Sequence, residues 1–178
     1  MVRNICRPAR RISHFLIESV FKANIFNSKL IIAGSGSKTN DCKKLAEKLR
    51  LKNVDFLAVP EGKVPEIQDL ADVMLLPVKK GGAYSSIPSK LPAYMFSKKA
   101  IIGSLDIDSD TAKAIIDADA GIVVEPENQE QLINAMRKMA DASYEKIKEK
   151  GENAFNYAMK NFSKNEGVGK MINIISNL

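Results

Sequence analysis

The chain has 178 residues, 45% of them hydrophobic, with a formal charge of +6 and two cysteines. That length suits one domain, or one and a small extension, with a respectable buried core. The composition is that of a soluble globular protein, and it excludes a disulfide scaffold, a membrane-spanning run and a secretory leader with an apolar h-region.

Cys6 and Cys42 lie too far apart for a metal knuckle, so a reduced, cytoplasmic setting is expected. Apart from Arg3, Arg7, Arg10 and Arg11 the basic residues are spread along the chain, and aromatics make up only 6%. Without basic residues interleaved with aromatics, nucleic acid is not an expected partner. The positive balance points instead to phosphorylated small molecules or an anionic membrane face.

Ile12 to Ala23 repeats apolar residues at helical spacing. Residues 29–33 (KLIIA) read as a buried strand, followed at once by Gly34-Ser35-Gly36-Ser37. A helix over 41–51 turns Cys42, Leu45, Ala46 and Leu49 inward, and 54–59 reads as the next strand. A short helix over 65–71 leads to a strand at 73–77. Gly81-Gly82 then supplies a turn, and a helix opens in Ser-Ile-Pro-Ser-Lys, with Pro88 in its first turn and Ser86 or Ser89 as cap. A strand at 99–103, a helix over 111–118 capped by Ser109-Asp110, a break at Gly121 and a strand at 122–124 follow. Helices over 129–141 and 143–161 come next, and the tail at 167–177 fits one more.

Strand and helix thus alternate from residue 29 to 140. Such alternation predicts right-handed crossovers and an α/β domain with a doubly wound parallel sheet covered by helices on both faces. Ligands of such sheets sit beyond the carboxyl ends of the strands. That confines the chemistry to loops 34–40, 58–64, 78–88 and 104–110, plus the basic start.

Within those loops the anion site is the point where 78–88 turns into its helix, because free amides collect there. Gly34-Ser-Gly-Ser-Lys38 fits either a tight turn or the close approach of a ligand; it is neither a full dinucleotide fingerprint nor a P-loop. Lys79, Lys80 and Lys90 suit pyrophosphate charge, or simply solvent. Asp106, Asp108 and Asp110 read as acidic capping of a helix start rather than as a metal site. His14 is the only histidine and reads as structural, and no nucleophile–base pair is visible.

KLIIAGSGS, ADVMLLP, SIPSKLPAYMFSKKAIIGS and AGIVVEPENQEQLINAMRKM, in that order, resemble the C-terminal domain of family-4 retaining GT-B glycosyltransferases, over roughly residues 12–175. Bacterial enzymes that build cell-surface polysaccharides are the most similar in the family. The resemblance implies one Rossmann-like half of a GT-B fold, spanning 1–178, with 143–178 as its C-terminal helices. It implies that this half binds a UDP- or GDP-sugar without a metal or other cofactor, as part of a hexosyltransferase. The N-terminal domain that holds the glycan or lipid-linked acceptor has no counterpart here, so the isolated half is expected to be inactive. A cytoplasmic enzyme, at the inner face of the membrane through peripheral association, completes that picture.

Residue by residue, the family's phosphate-binding Arg falls near Asn4 and its Lys near Arg10 or Arg11. Its base-reading loop falls on Ala58-Val59-Pro60, and its Glu-x7-Glu pair falls on Ser85 and Ala93, where both carboxylates are missing. The SIPSKL sequence is similar to a known variant of that motif. The residues expected to act on the reaction are therefore Arg10, Arg11 and Ser85. Those expected to hold the donor are Gly34, Ser35, Val59, Ser86, Ile87, Ser89 and Lys90. The missing carboxylates keep a rival open, a non-catalytic nucleotide-binding module; a flavodoxin-like interaction domain is a second.

Overall fold

The computed structural model describes the backbone of residues 2–6, 12–34, 36 and 38–163, and side chains from residue 14 onward within that set. Its centre is a six-stranded, all-parallel sheet: β1 (Val2–Cys6), β2 (Ser28–Ala33), β3 (Val54–Leu57), β4 (Val73–Pro77), β5 (Ala100–Ser104) and β6 (Gly121–Val124). The spatial order is β3-β2-β1-β4-β5-β6. Among the described residues seven helices connect and cover the strands: α1 (Ile12–Ala23), α2 (Thr39–Lys48), α3 (Val64–Asp69), α4 (Lys90–Phe96), α5 (Asp110–Asp117), α6 (Gln129–Asp141) and α7 (Tyr144–Asn161).

The strands divide their side chains between two cores with the two-residue period of extended chain. Leu30, Ile32, Val73, Leu75, Ala100 and Ile102 face α1, α2 and α6. Ile31, Ala33, Met74, Leu76 and Ile101 face α4, α5 and α7. Burial on both faces is why these strands read as unbroken apolar runs. β4 carries the heaviest share, since Val73 to Leu76 are each no more than 1% exposed. Burying each such side chain contributes about 1.5–3 kcal/mol. The doubly wound α/β fold expected from the sequence is the fold observed.

One strand was not expected. Residues 2–6 form β1, which pairs with β2 from Val2↔Ser28 to Cys6↔Ile32 and with β4 at Asn4↔Val73 and Ile5↔Met74. Arg3 and Asn4 interrupt the apolar run that marks the other central strands. Asn4 consequently lies within a strand, not in the loop where the family's Arg was placed.

Smaller differences follow from local chemistry. α2 stops at Lys48 because Arg50 turns into the left-handed region (φ 52), and β3 ends at Leu57, which leaves Val59 in a loop. α4 begins at Lys90, two residues after Pro88, whose carbonyl accepts the amide of Leu91 at 2.9 Å. Ser89 occupies the cap position with helical dihedrals and makes no side-chain cap bond, and Ser86 lies outside the helix. Ser109 caps α5 as expected, accepting from the amide of Ala112. The tail at 167–177 lies outside the described residues.

Two glycines mark where backbone meets backbone. A Cβ on Gly121 would sit 1.7 Å from the carbonyl oxygen of Ile101, its partner in β5. A Cβ on Gly151, inside α7, would sit 2.1 Å from the carbonyl oxygen of Lys98 at the end of α4. Glycine in a helix interior ordinarily costs about 0.5–1 kcal/mol relative to alanine. Gly151→Ala should reverse that sign and destabilise the chain by about 1–3 kcal/mol, read as a lowered denaturant midpoint. A raised midpoint would show that α7 does not pack this closely.

Candidate functional site

All six strands point their carboxyl ends the same way, so the expected loops share one edge of the sheet. Strand order reverses between β1 and β4, and a crevice opens where loops on either side of that point diverge. The segment 78–89, between β4 and α4, lines it directly. Arg10, Arg11 and Ser35 fall outside the described residues.

The loop after β4 is held by the loop after β5. Asp106, 5% exposed, accepts the amide of Gly81 at 3.0 Å on each carboxylate oxygen and that of Ala83 at 3.4 Å on Oδ2. Ser109 Oγ donates to the backbone oxygen of Asp106 at 2.6 Å, which fixes the carboxylate in turn. Gly81 takes φ +77, a conformation that suits glycine, and Gly82 closes the turn on the carbonyl of Lys79 at 2.9 Å. At the rim, Tyr84 Oη donates to Asp108 Oδ1 at 2.6 Å. Asp106 and Asp108 therefore clamp a neighbouring loop, where the sequence suggested helix capping; of the three acids, only Asp110 sits in the first turn of α5. Among the described residues no group of three or more His, Cys, Asp or Glu suits a metal ion.

Beyond the clamp the chain runs free. The amides of Ser86, Ile87 and Ser89 donate to no described atom, and all three residues are exposed. Ser85 is also exposed, with its Oγ 3.4 Å from the carbonyl of Gly82. Because α4 has only seven residues and an uncapped start, its dipole adds little. An exposed helix terminus contributes about 0.3–1 kcal/mol toward an anion, whereas one hydrogen bond to a charged group contributes about 1.5–3. The free amides, not the dipole, make this segment suitable for an anion.

Next to it lies a cavity of about 110 Å³. Ala33, Val59, Val64, Ile67 and Ala93 give it apolar walls; Gln68, Ser89 and Lys90 supply the polar groups. An apolar cavity of ~150 Å³ holds a benzene molecule, so the scale here is that of a single ring reaching in from solvent. Gln68 is 8% exposed and its Oε1 accepts from Ser97 Oγ at 2.6 Å, which orients the amide. Val59, Ser89 and Lys90 are thus brought together. Ser85, Ser86 and Ile87 lie on the adjoining segment. Gly34 is set apart: it takes φ 126, donates to the carbonyl of Leu57 at 2.9 Å, and lines a different recess with Gly36, Thr39, Lys43 and Phe56. His14 is exposed in the first turn of α1, near enough to Asp41 at the start of α2 for the two to interact electrostatically.

Gln68, Tyr84 and Asp106 were not anticipated as site residues. Gln68 follows Val64 and Ile67 in the inward register of a short helix, the one available sign that it is buried.

Residues 4–142 match the family model described as glycosyl transferases group 1. The chain belongs to that family. Among curated proteins none matches it. Of solved structures, this group 1 domain is similar to a variant of S. aureus TarM in complex with fondaparinux, alpha-GlcNAc-glycerol and UDP, at 20% identity and TM-score 0.77 over 97% of this chain and 34% of that one. Anabaena HepE in complex with UDP-glucose is 16% identical, with TM-score 0.77 over 99% and 48%. WaaG, a glycosyltransferase involved in lipopolysaccharide biosynthesis, is 23% identical, with TM-score 0.69 over 89% and 42%. The fold is therefore the Rossmann-like half found in GT-B glycosyltransferases, and the group 1 domain spans between 34% and 48% of these three chains.

The clamp can be read directly. Asp106→Ala strands two amides, and should lower stability by about 1–3 kcal/mol while speeding hydrogen exchange at Gly81 and Ala83. The hydrogen bond to Asp108, with lesser contributions from desolvation and the surrounding carboxylates, pushes the Tyr84 phenol up to about 12 from an ordinary 10.0. The neutral phenol is thus the favoured form, and that preference is lost as pH rises through 12. Asp108→Asn should bring the ultraviolet titration of Tyr84 back toward the ordinary value. An unmoved titration would show that the pair does not form.

Proposed function

We propose that this group 1 domain is the donor-binding half of a retaining, family-4 glycosyltransferase, taking a UDP- or GDP-sugar. The single observation that carries this reading is the pairing of a ring-sized cavity with three free amides at the switch point of the sheet. A nucleoside diphosphate has those two parts in that order, a flat base and an adjacent dianion. In this reading Val59 packs against the base while Gln68 meets its polar edge. Ser89 and Lys90 stand where base gives way to phosphate, and the amides of Ser86 and Ile87 receive the β-phosphate. Arg10 or Arg11 neutralises the leaving diphosphate, and Ser85 lies beside the transferred sugar. TarM and HepE were solved with UDP or UDP-glucose, which supports the same ligand class here.

Preorganised donors that stabilise charge on the leaving group lower the barrier more than anything else such a site supplies. No metal is needed if amides and cations meet the diphosphate. The acceptor, a cell-surface glycan or lipid-linked sugar, is assigned to a second, N-terminal domain outside this chain, so binding without turnover is expected of the 178 residues alone. A cytoplasmic setting fits a donor of this kind. Ser85 and Ala93 stand where the family carries carboxylates, and this favours a second reading, a non-catalytic nucleotide-binding module. Donor turnover by the chain joined to its acceptor domain separates the two.

In a thermal melt, UDP or GDP at 100 times its dissociation constant should add about 2.7 kcal/mol of stability. Lys90→Glu should weaken that binding about tenfold, equivalent to about 1.4 kcal/mol. No shift with any nucleoside diphosphate would remove the donor reading, and unchanged affinity in the variant would remove Lys90 from the site.

A further inference from the structure

The cavity beside the free amides holds a polar group whose orientation is set from outside it. Gln68, on α3, is the buried side-chain amide in its wall, 8% exposed. Ser97 Oγ, at the end of α4, lies 2.6 Å from Gln68 Oε1 and 2.9 Å from the carbonyl oxygen of Ala93. The hydroxyl shares its single proton between these two acceptors, so the carbonyl end of the Gln68 amide is turned toward α4. Lys99 ties α3 to the turn after α4 beside this contact. Its Nζ lies 3.3 Å from the carbonyl oxygen of Asp69 and 3.6 Å from the Asp69 carboxylate.

What is left for a ligand is the other end of the amide. Gln68 Nε2 donates to no described atom. Among the described residues, Thr111 Oγ1 is the fully enclosed side-chain atom left without a partner, so Nε2 keeps an opening, and the space that Gln68 lines is the cavity. An amide nitrogen carries two donors and no acceptor. It meets a carbonyl oxygen well and an amino group badly, because two donors set face to face leave both unpaired. Uracil and guanine carry a carbonyl where cytosine and adenine carry an amino group. Size separates the two carbonyl bases: about 110 Å³ suits one ring, and a purine would leave its second ring outside. The apolar walls at Val59 and Ala93 do not discriminate between rings of the same shape.

We infer that Gln68 sets the base specificity of this site, selecting uracil over cytosine and guanine through a donor that Ser97 holds in place. This selection presupposes the donor-binding reading and adds to it the side chain that chooses among nucleotides. Gln68 is then a specificity residue in contact with the base, and Ser97 a positioning residue behind it.

Calorimetric titration of the full chain with UDP, CDP and GDP tests this, each variant first checked by circular dichroism for an unchanged fold. UDP is expected to bind about tenfold tighter than CDP or GDP. Gln68→Leu should bring UDP and CDP within about twofold of each other by weakening UDP. Gln68→Glu puts an acceptor in place of the donor while keeping a partner for Ser97, and should reverse the order so that CDP binds tighter than UDP. The added charge weakens both nucleotides, and the comparison is therefore read as their ratio. Ser97→Ala frees the amide to turn and should narrow the ratio to about threefold, whereas a purely structural Ser97 would leave it unmoved. Equal or tighter binding of CDP or GDP to the unaltered chain overturns the inference; a preference for CDP would mean that Oε1 faces the base. So does a ratio that none of the variants moves, which would leave the donor-binding reading standing with the base read by other groups. Absence of binding by all three nucleotides removes that reading and this one together.

Discussion

The pairing of β1 between β2 and β4 is the constraint on which the rest of the structure depends. It places a short strand at the centre of an all-parallel sheet and sends the chain outward from there in two directions. The helices that return on either face then cover both cores, and the loops on either side of the reversal cannot close over one another. The crevice is a consequence of topology, before any side chain contributes to it. What the side chains add is stiffness on one wall, since Asp106 ties the loop after β4 to the loop after β5 and so presents the segment from Ser85 to Ser89 in a defined place.

That arrangement separates holding the loop from meeting the ligand. Asp106 clamps through backbone amides on its own side of the turn, and the amides beyond it donate to no described atom. A loop that spent all its donors internally could not offer any to a phosphate. A loop with no internal anchor would have to be ordered on binding, at about 1–2 kcal/mol per residue. The clamp lies between those extremes and gives the nucleotide-binding reading a physical footing independent of the Glu pair absent at Ser85 and Ala93.

Much of the fold was legible because burial on both faces writes itself as apolar runs. Val73 to Pro77 and Gln129 to Asp141 have the bounds that their patterns gave. β1 was hidden for the same reason in reverse, with Arg3 and Asn4 breaking the run. The site was partly legible: Val59, Ser89 and Lys90 could be found from loop position and resemblance. Asp106 could not, because an acid near a helix start has the same local appearance whether it caps, binds a metal or reaches a loop 25 residues away. Gln68 was hidden likewise, as its role arises from the packing of α3 beside α4 and not from its neighbours in sequence. Arg10, Arg11 and Ser35 lie outside the described residues and stand on the resemblance alone.

The central claim is that a nucleoside diphosphate lies across the cavity and the free amides together. An amide-resolved NMR titration of the chain with UDP and with GDP tests it most directly. The account predicts that one of them moves Val59, Gln68, Ser86, Ile87 and Ser89 in a single saturable step, with the β2–β3 recess at Gly36 and Thr39 little affected. Saturable shifts confined to that recess, or none at residues 86–89, would contradict it.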